Sequence, residues 1–238
     1  MTTMLTTGRR IYSAGMIALA TLCFISKDFI IGRPPGPINN WLAYSAAVLV
    51  LFAAVLIFIQ KRIQEAALFI ALLLAALSVG RHLPYFMKDW LNALKAFALL
   101  GGTFIIAASG AVTTNTRKYL SCAGIILLAI FLVACGYAHI KYYDFVTNFI
   151  PAYIPFRGFF AYFTATCLIA GGIGICIPYT RKLAALLNAV MLLGWFILLH
   201  IPRFMADTSN ASDRLGLCES FTFAGIFFVL AAISSKNK

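Results

Sequence analysis

The sequence predicts an all-α integral membrane protein with eight transmembrane helices arranged as two parallel four-helix repeats. Of its 238 residues, 62% are hydrophobic and only 11% are charged. So few charges cannot cover the surface of a soluble domain of this length. The apolar residues fall in runs of roughly 20, long enough to cross a hydrocarbon core about 30 Å thick. A sequence motif that occurs twice indicates the two repeats.

That motif is His-x-Pro-x-Phe-Met-x-Asp, found at 82–89 and again 118 residues later at 200–207. Each copy stands where one apolar run ends and another follows. Smaller matches recur at the same separation, such as Ala43-Tyr44 with Ala161-Tyr162. The pattern predicts an internal duplication, with a degenerate first repeat at 1–118 and a second at 119–238. Four helices per repeat bring both repeats in from the same side, so the repeats are parallel.

Four spans are predicted in the first repeat, at 11–31, 41–59, 63–80 and 90–109. Prolines 34, 35 and 37 break the chain after the first span, because proline removes a backbone donor. A basic turn at 60–62 follows the second span, the first motif follows the third, and a polar loop at 113–118 follows the fourth.

The second repeat has the same plan, with spans predicted at 119–137, 159–177, 183–200 and 215–233. An aromatic-rich loop at 139–157 is expected to re-enter or lie on the membrane interface, where it can cover a pocket for a lipid-like ligand. A tight turn at 181–182, the second motif, a polar loop at 206–214 and a basic tail at 234–238 complete the chain.

Basic residues set the predicted orientation. The net charge is +12, and basic pairs stand between the apolar runs, which favours membrane topology over nucleic-acid binding. One side collects ten basic residues against the single acid Glu65, and the opposite side carries all five aspartates and all three histidines. The positive-inside rule places both termini in the cytoplasm, with a bacterial inner membrane as the expected location.

Six outer-face residues form a predicted ligand or partner pocket between the repeats: His82, Asp89, His139, Asp144, His200 and Asp207. Imidazole and carboxylate groups suit a transition metal or a polar headgroup. No metal site is predicted, because no His-x-His or i, i+4 histidine pair exists. The alternative is structural: a histidine at a helix end can cap the last carbonyls and interact with the helix dipole.

Lys95 and Glu219 are the charges deepest in the predicted spans, and each stands six residues before a glycine, Gly101 and Gly225. Charge within a bilayer is costly unless it finds a partner. An ion pair or an inward-facing site is therefore one interpretation, and side chains that extend to the interface are the other.

Several segments of the second half resemble DoxX-like membrane proteins: Gly136-Tyr137-Ala138-His139, Tyr143-Asp144-Phe145, Phe149-Ile150-Pro151, Arg181-Lys182-Leu183-Ala184-Ala185 and His200-Ile201-Pro202. The resemblance covers 119–233 and implies a fused pair of four-helix units. Relatives are associated with thiosulfate:quinone oxidoreductase subunits and with membrane assemblies that handle oxidative stress, which implies a quinone or protein partner. Many members carry a glutamate where this sequence has Leu168, and Glu219 is the candidate substitute.

The expected function is that of a non-enzymatic subunit or accessory factor that presents its outer-face loops to a partner or small ligand. An alternative is an oxidoreductase component with a quinone between the repeats, near His200, Glu219 and the aromatic loop. A small-solute transporter is a third reading, which parallel repeats suit but which lacks broken midplane helices. The expected partners are the lipid bilayer and either other membrane subunits or a second copy, without nucleic acid.

Overall fold

The computed structural model describes residues 2–234, and this part of the chain is helical with no strand. Residues 235–238, which contain most of the predicted basic tail, lie outside the described residues. The helices are α1 Thr2–Ser26, α2 Asn40–Phe58, α3 Ile63–Tyr85, α4 Trp90–Gly110, α5 Thr114–Lys141, α6 Tyr143–Phe149, α7 Arg157–Cys176, α8 Arg181–Ala206 and α9 Ala211–Ser234.

Seven of these helices are long and apolar enough to cross a membrane, namely α2, α3, α4, α5, α7, α8 and α9. The predicted helical membrane architecture is therefore present in the described residues. Helix α1 is not among the seven, although it is 25 residues long. Its first turns are rich in threonine and carry Arg9 and Arg10, which lower its mean hydropathy.

Helices α4 and α9 form the centre of the bundle. In the most apolar 18-residue stretch of each helix, the buried share of the residues is 67% in α4 and 72% in α9, but 28% in α8. Helix α9 packs on α1, α4 packs on α5, and α4 and α9 also contact each other. The last helix of each half thus lies against the first helix of the other half. Within the halves, α1–α2, α2–α3 and α3–α4 correspond to α5–α7, α7–α8 and α8–α9.

Glycines allow the central helices to approach closely. A Cβ added at Gly225 of α9 would lie 2.3 Å from the backbone nitrogen of Tyr12 and 2.8 Å from the carbonyl oxygen of Gly8. A Cβ added at Gly124 of α5 would lie 2.5 Å from the carbonyl oxygen of Gly101. Such contacts allow the backbones to pack in a membrane, where no hydrophobic force drives helices together.

Several predicted helix ends are wrong. Helix α1 begins at Thr2 rather than 11, α5 spans Thr114–Lys141 rather than 119–137, and α9 begins at Ala211 rather than 215. Helices α3 and α8 were expected to stop at 80 and 200 but continue to Tyr85 and Ala206. A π-helical segment precedes each proline, at Ala75–Val79 and Phe196–His200. Each proline then occupies one of the first two positions of a new helical segment, where no N–H is needed. Helix α1 ends at Ser26 rather than 31, and Lys27 has a φ of 53°.

Side-chain contacts define the two ends of the bundle. Arg9 donates to the Ser109 hydroxyl at 2.9 Å and to Gln60 Oε1 at 3.1 Å, which joins the start of α1, the α2–α3 turn and the end of α4. We call this the basic end. At the opposite end, called the motif end, Arg33 donates to the carbonyl of Ser212 at 3.0 Å. Both His-x-Pro motifs lie at the motif end.

Replacement of Gly225 by alanine should destabilise the bundle by about 1–3 kcal/mol, because the new methyl group overlaps the backbone of α1. The matched control is Gly194→Ala in α8, where an added Cβ meets nothing within 4 Å. That change should be neutral or stabilise by about 0.5–1 kcal/mol. Thermal unfolding in detergent measures both, and equal midpoints for the two variants would contradict the packing of α1 on α9.

Candidate functional site

The structure separates the six residues of the predicted outer-face pocket. His139 and His200 line one cavity, and the other four do not. Asp89 accepts a hydrogen bond from Asn92 at 3.0 Å, and Asp144 is exposed. Asp207 is exposed and accepts from the Ser209 hydroxyl and backbone N–H, which lower the pKa of its carboxyl.

The cavity that His139 and His200 share lies within the second half, among α5, α6, α7 and α8. The sequence predicted a pocket between the repeats, whereas this cavity lies within one half of the chain. Its volume is ≈ 300 Å³. The lining is mostly aromatic and aliphatic: Cys135, His139, Phe145, Val146, Phe149, Ile150, Phe160, Ala161, Thr164, Leu168, Met191, Leu192, Trp195, Leu199 and His200.

His139 has a fixed tautomer when neutral. Its Nδ1 lies 2.8 Å from the carbonyl oxygen of Cys135, one turn earlier in α5. A carbonyl has no proton to give, so Nδ1 carries the proton and Nε2 is left as a hydrogen-bond acceptor.

His200 has no hydrogen-bond partner within the described residues, and its Nδ1 is fully buried. The ring meets Phe149 edge to face, with centroids 6.4 Å apart. On the other side it lies against Gly216 of α9, where an added Cβ would stand 3.1 Å from Cε1 and Nδ1. The absence of a side chain at Gly216 therefore provides the space for the imidazole ring.

Thr164 of α7 adds a third polar group to the cavity wall. Its Oγ1 is buried and, in the described part of the chain, has no hydrogen-bond partner. Buried polar groups without partners are uncommon and cost about 1–3 kcal/mol each. Thr164 Oγ1 and His200 Nδ1 are two such groups, and His139 Nε2 adds an acceptor, so a ligand with matching polar atoms can form hydrogen bonds here.

The aromatic segment after α5 closes the cavity from the motif end. Arg203 pairs with the buried carboxylate of Asp213 at 2.9 Å and donates to the carbonyl of Phe149 at 3.2 Å. Its guanidinium also stacks 3.8 Å from the Phe149 ring centroid. Further along, the Tyr153 hydroxyl donates to the carbonyl of Leu198. These contacts hold α6 and the coil after it over the cavity.

His82, the histidine of the first His-x-Pro motif, has a different environment from His200. It is fully buried, and its Nε2 donates to the carbonyl oxygen of Gly32 at 2.9 Å. Its Nδ1, like that of His200, is buried and has no partner among residues 2–234. The predicted role as a cap for its own helix is wrong, because the acceptor belongs to the loop after α1.

That loop, residues 27–39, is inserted into the first half. Its Phe29 and Ile31 side chains are fully buried. Ser78 donates to the carbonyl of Ile31 at 2.5 Å, and Arg81 donates to the carbonyl of Phe29 at 2.8 Å. In the first half, therefore, the chain's own backbone supplies the carbonyl that meets the histidine.

Lys95 and Glu219, the two deep charges, are in direct contact. Lys95 Nζ lies 2.9 Å from Glu219 Oε2, and Arg33 Nε lies 3.8 Å from the same oxygen. The side chains of Lys95 and Glu219 are 17% and 6% exposed, too little for either charge to be in water at the interface. The pair joins α4 of the first half to α9 of the second. Glu219 does not line the cavity.

The sequence analysis missed three contributors, namely Arg33, Thr164 and Asp213. For Thr164, the only sequence feature that could have indicated a role is its position in an aromatic-rich helix. Asp213 has a usable one, since an acid in the first turn of α9 follows soon after the arginine of the second motif. No group of three metal-ligating side chains is placed to hold an ion among residues 2–234.

Residues 128–212 match a family described as a domain of unknown function (DUF8561). This segment contains every residue that lines the cavity, and it excludes Lys95 and Glu219. Comparison with curated proteins and with solved structures finds no match.

Loss of the Lys95 charge should destabilise the protein by about 3 kcal/mol, because a buried carboxylate loses its nearest cation. Lys95→Met tests this, with Lys88→Met as the matched control at an exposed position nearby. Adding Glu219→Leu to Lys95→Met should recover part of the loss, since no lone charge then remains. Unfolding midpoints in detergent give the comparison. If Lys95→Met and Lys88→Met unfold alike, the pair contributes nothing.

Proposed function

We propose that this protein is a membrane-embedded subunit or accessory factor that binds a quinone-like molecule in the cavity of its second half. The observation that carries the proposal is the cavity itself. It combines an apolar, aromatic wall with three hydrogen-bonding side chains, His139, Thr164 and His200. Of these, Thr164 Oγ1 and His200 Nδ1 are buried without a partner in the described residues. Small-molecule sites typically have this composition, and ≈ 300 Å³ is at the small end of their range.

The polar groups match the chemistry of a quinone and its reduced quinol. His139 offers an acceptor at Nε2, which suits a ligand hydroxyl. His200 offers one donor and one acceptor when neutral, and the Thr164 hydroxyl serves as either. A ring with carbonyl or hydroxyl groups at opposite positions satisfies these side chains while its apolar edge contacts the aromatic wall.

The first half supports the same ligand class. His82 donates to the carbonyl of Gly32 at 2.9 Å. If the repeats are equivalent, this carbonyl marks the kind of group that His200 is built to hold. The resemblance to DoxX-like proteins, whose relatives are associated with quinone-linked assemblies, supports the proposal from a second direction. The proposed role is to bind the quinone for a partner enzyme.

The proposal includes an eight-span topology with two parallel repeats and both termini in the cytoplasm of a bacterial cell. Helix α1 is long enough for the eighth span and packs along α9, which is apolar enough to cross the membrane. The matching contacts within the two halves support the duplication. The concentration of unpaired basic residues at one end of the bundle supports the orientation.

A water-soluble quinone with a ten-carbon tail should bind the purified protein and quench the fluorescence of Trp195, which lines the cavity. Replacement of Trp41 and Trp90 by phenylalanine isolates that signal. His200→Leu should weaken binding about fivefold to tenfold through the lost hydrogen bond. Ala161→Phe should abolish binding because it fills the cavity.

The matched control is Ala170→Phe, which introduces the same side chain at an exposed position of the same helix. It should leave quinone binding unchanged. Equal binding by Ala161→Phe and Ala170→Phe would place the quinone elsewhere and reject the proposed site.

The topology predicts opposite labelling of two single cysteines in a variant without the six native ones. A cysteine at Ser209, at the motif end, should react with a membrane-impermeant maleimide in intact cells. A cysteine at Lys182, at the basic end, should react only after the membrane is opened. The reverse pattern would overturn the orientation, and labelling of both in intact cells would overturn the topology.

A further inference from the structure

A groove at the basic end has the composition of a lipid phosphate site. It has a volume of ≈ 400 Å³ and lies between the start of α5, the α7–α8 turn and the end of α9. We call it the basic groove. Its lining comprises three cationic side chains, three hydroxyls and an apolar floor: Arg117, Lys118 and Arg181; Thr114, Ser121 and Ser234; Cys122, Ile125, Ile126, Cys176, Leu230 and Ile233.

The three cations of the basic groove have no acidic partner in the part of the chain that the structure describes. Among residues 2–234, the ion pairs formed by Arg33, Arg81, Lys95 and Arg203 all involve Asp28, Asp213 or Glu219, on the motif-end side of the bundle. Glu65, the only acid at the basic end, does not line the groove. Within residues 2–234, the groove therefore carries a local excess of positive charge that no acidic side chain neutralises.

Two helix N-termini strengthen that positive potential. Helix α5 begins at Thr114 and α8 begins at Arg181, and both residues line the groove. Neither first turn contains an acid. Basic side chains are unfavourable beside the positive end of a helix dipole, whereas a bound anion is stabilised by both.

Backbone carbonyls position the two arginines before any ligand binds. Arg181 donates to the carbonyls of Ile175 and Cys176 at 2.7 and 3.0 Å, at the end of α7. Arg117 donates to the carbonyl of Ala111 at 3.3 Å, and its Nε is buried without a partner in the described chain. Side chains that are already ordered lose less entropy when they bind an anion.

We propose that the basic groove binds an anionic phospholipid from the cytoplasmic leaflet. The phosphate contacts Arg117, Lys118 and Arg181, and an acyl chain lies along the apolar floor. Ile126 and Cys122, both exposed, continue the floor along α5. Free phosphate has the charge but no chain for this surface, so the amphipathic lining favours the lipid. Clusters of basic residues next to membrane-spanning helices recognise anionic lipids through this combination.

The test is native mass spectrometry of the purified full chain in detergent, titrated with phosphatidylglycerol or phosphatidylcholine of the same acyl chains. Phosphatidylglycerol should bind more tightly. The variant Arg117→Gln with Lys118→Gln should weaken that binding on the order of thirtyfold, at about fivefold per basic residue. Lys61→Gln with Lys182→Gln is the matched control, since it removes the same charge from the same end outside the groove.

A second variant, Cys122→Phe, retains every charge and narrows the apolar floor. It tests the proposal even if the double variant does not fold. It should weaken binding of phosphatidylglycerol. Inorganic phosphate at the same concentrations should not compete with the lipid. Equal lipid binding by the two charge-matched double variants would overturn the proposal. So would undiminished binding by Cys122→Phe, or full displacement by inorganic phosphate.

Discussion

The carboxylate of Glu219 is the constraint on which the centre of this bundle depends. A charge in an apolar environment must be paired, and the partners of Glu219 come from the other half of the chain. Lys95 reaches it from α4 at 2.9 Å, and Arg33 reaches it from the loop after α1 at 3.8 Å. The contact between α4 and α9 is thus fixed electrostatically, and each of these helices in turn packs on the first helix of the opposite half.

From that shared centre, the two halves differ in how they use the same motif. In the first half, the loop at 27–39 is buried and supplies a carbonyl to His82. In the second half, α6 and its coil lie over the corresponding region and leave a cavity of ≈ 300 Å³ beside His200. One half is therefore filled by its own chain, and the other retains space for a ligand. The difference comes from the loops, since a π-helical segment precedes His82 in α3 and another ends at His200 in α8.

Composition and hydropathy were enough to predict the helical membrane fold, because long apolar runs have few alternatives. For Lys95 and Glu219 the sequence allowed either an ion pair or side chains that extend to the interface, and the structure contains the ion pair. Helix ends beside Pro84 and Pro202 were wrong, since a π-helical turn before the proline has no clear sequence signature. Convergence of six outer-face residues was also expected, but only His139 and His200 share a cavity. Residue spacing does not show which loop packs beside each histidine, because that depends on the packing of the folded chain.

The contact between α1 and α9 has a consequence for how the chain assembles during synthesis. Helix α1 ends at Ser26, whereas α9 begins at Ala211. At a translation rate of about 5–20 residues per second, on the order of ten seconds or more pass between the synthesis of α1 and that of α9. During that interval the side of α1 that contains Gly8, Tyr12 and Gly15 is without the helix that covers it in the finished bundle. The bundle therefore cannot be complete until α9 has been synthesised.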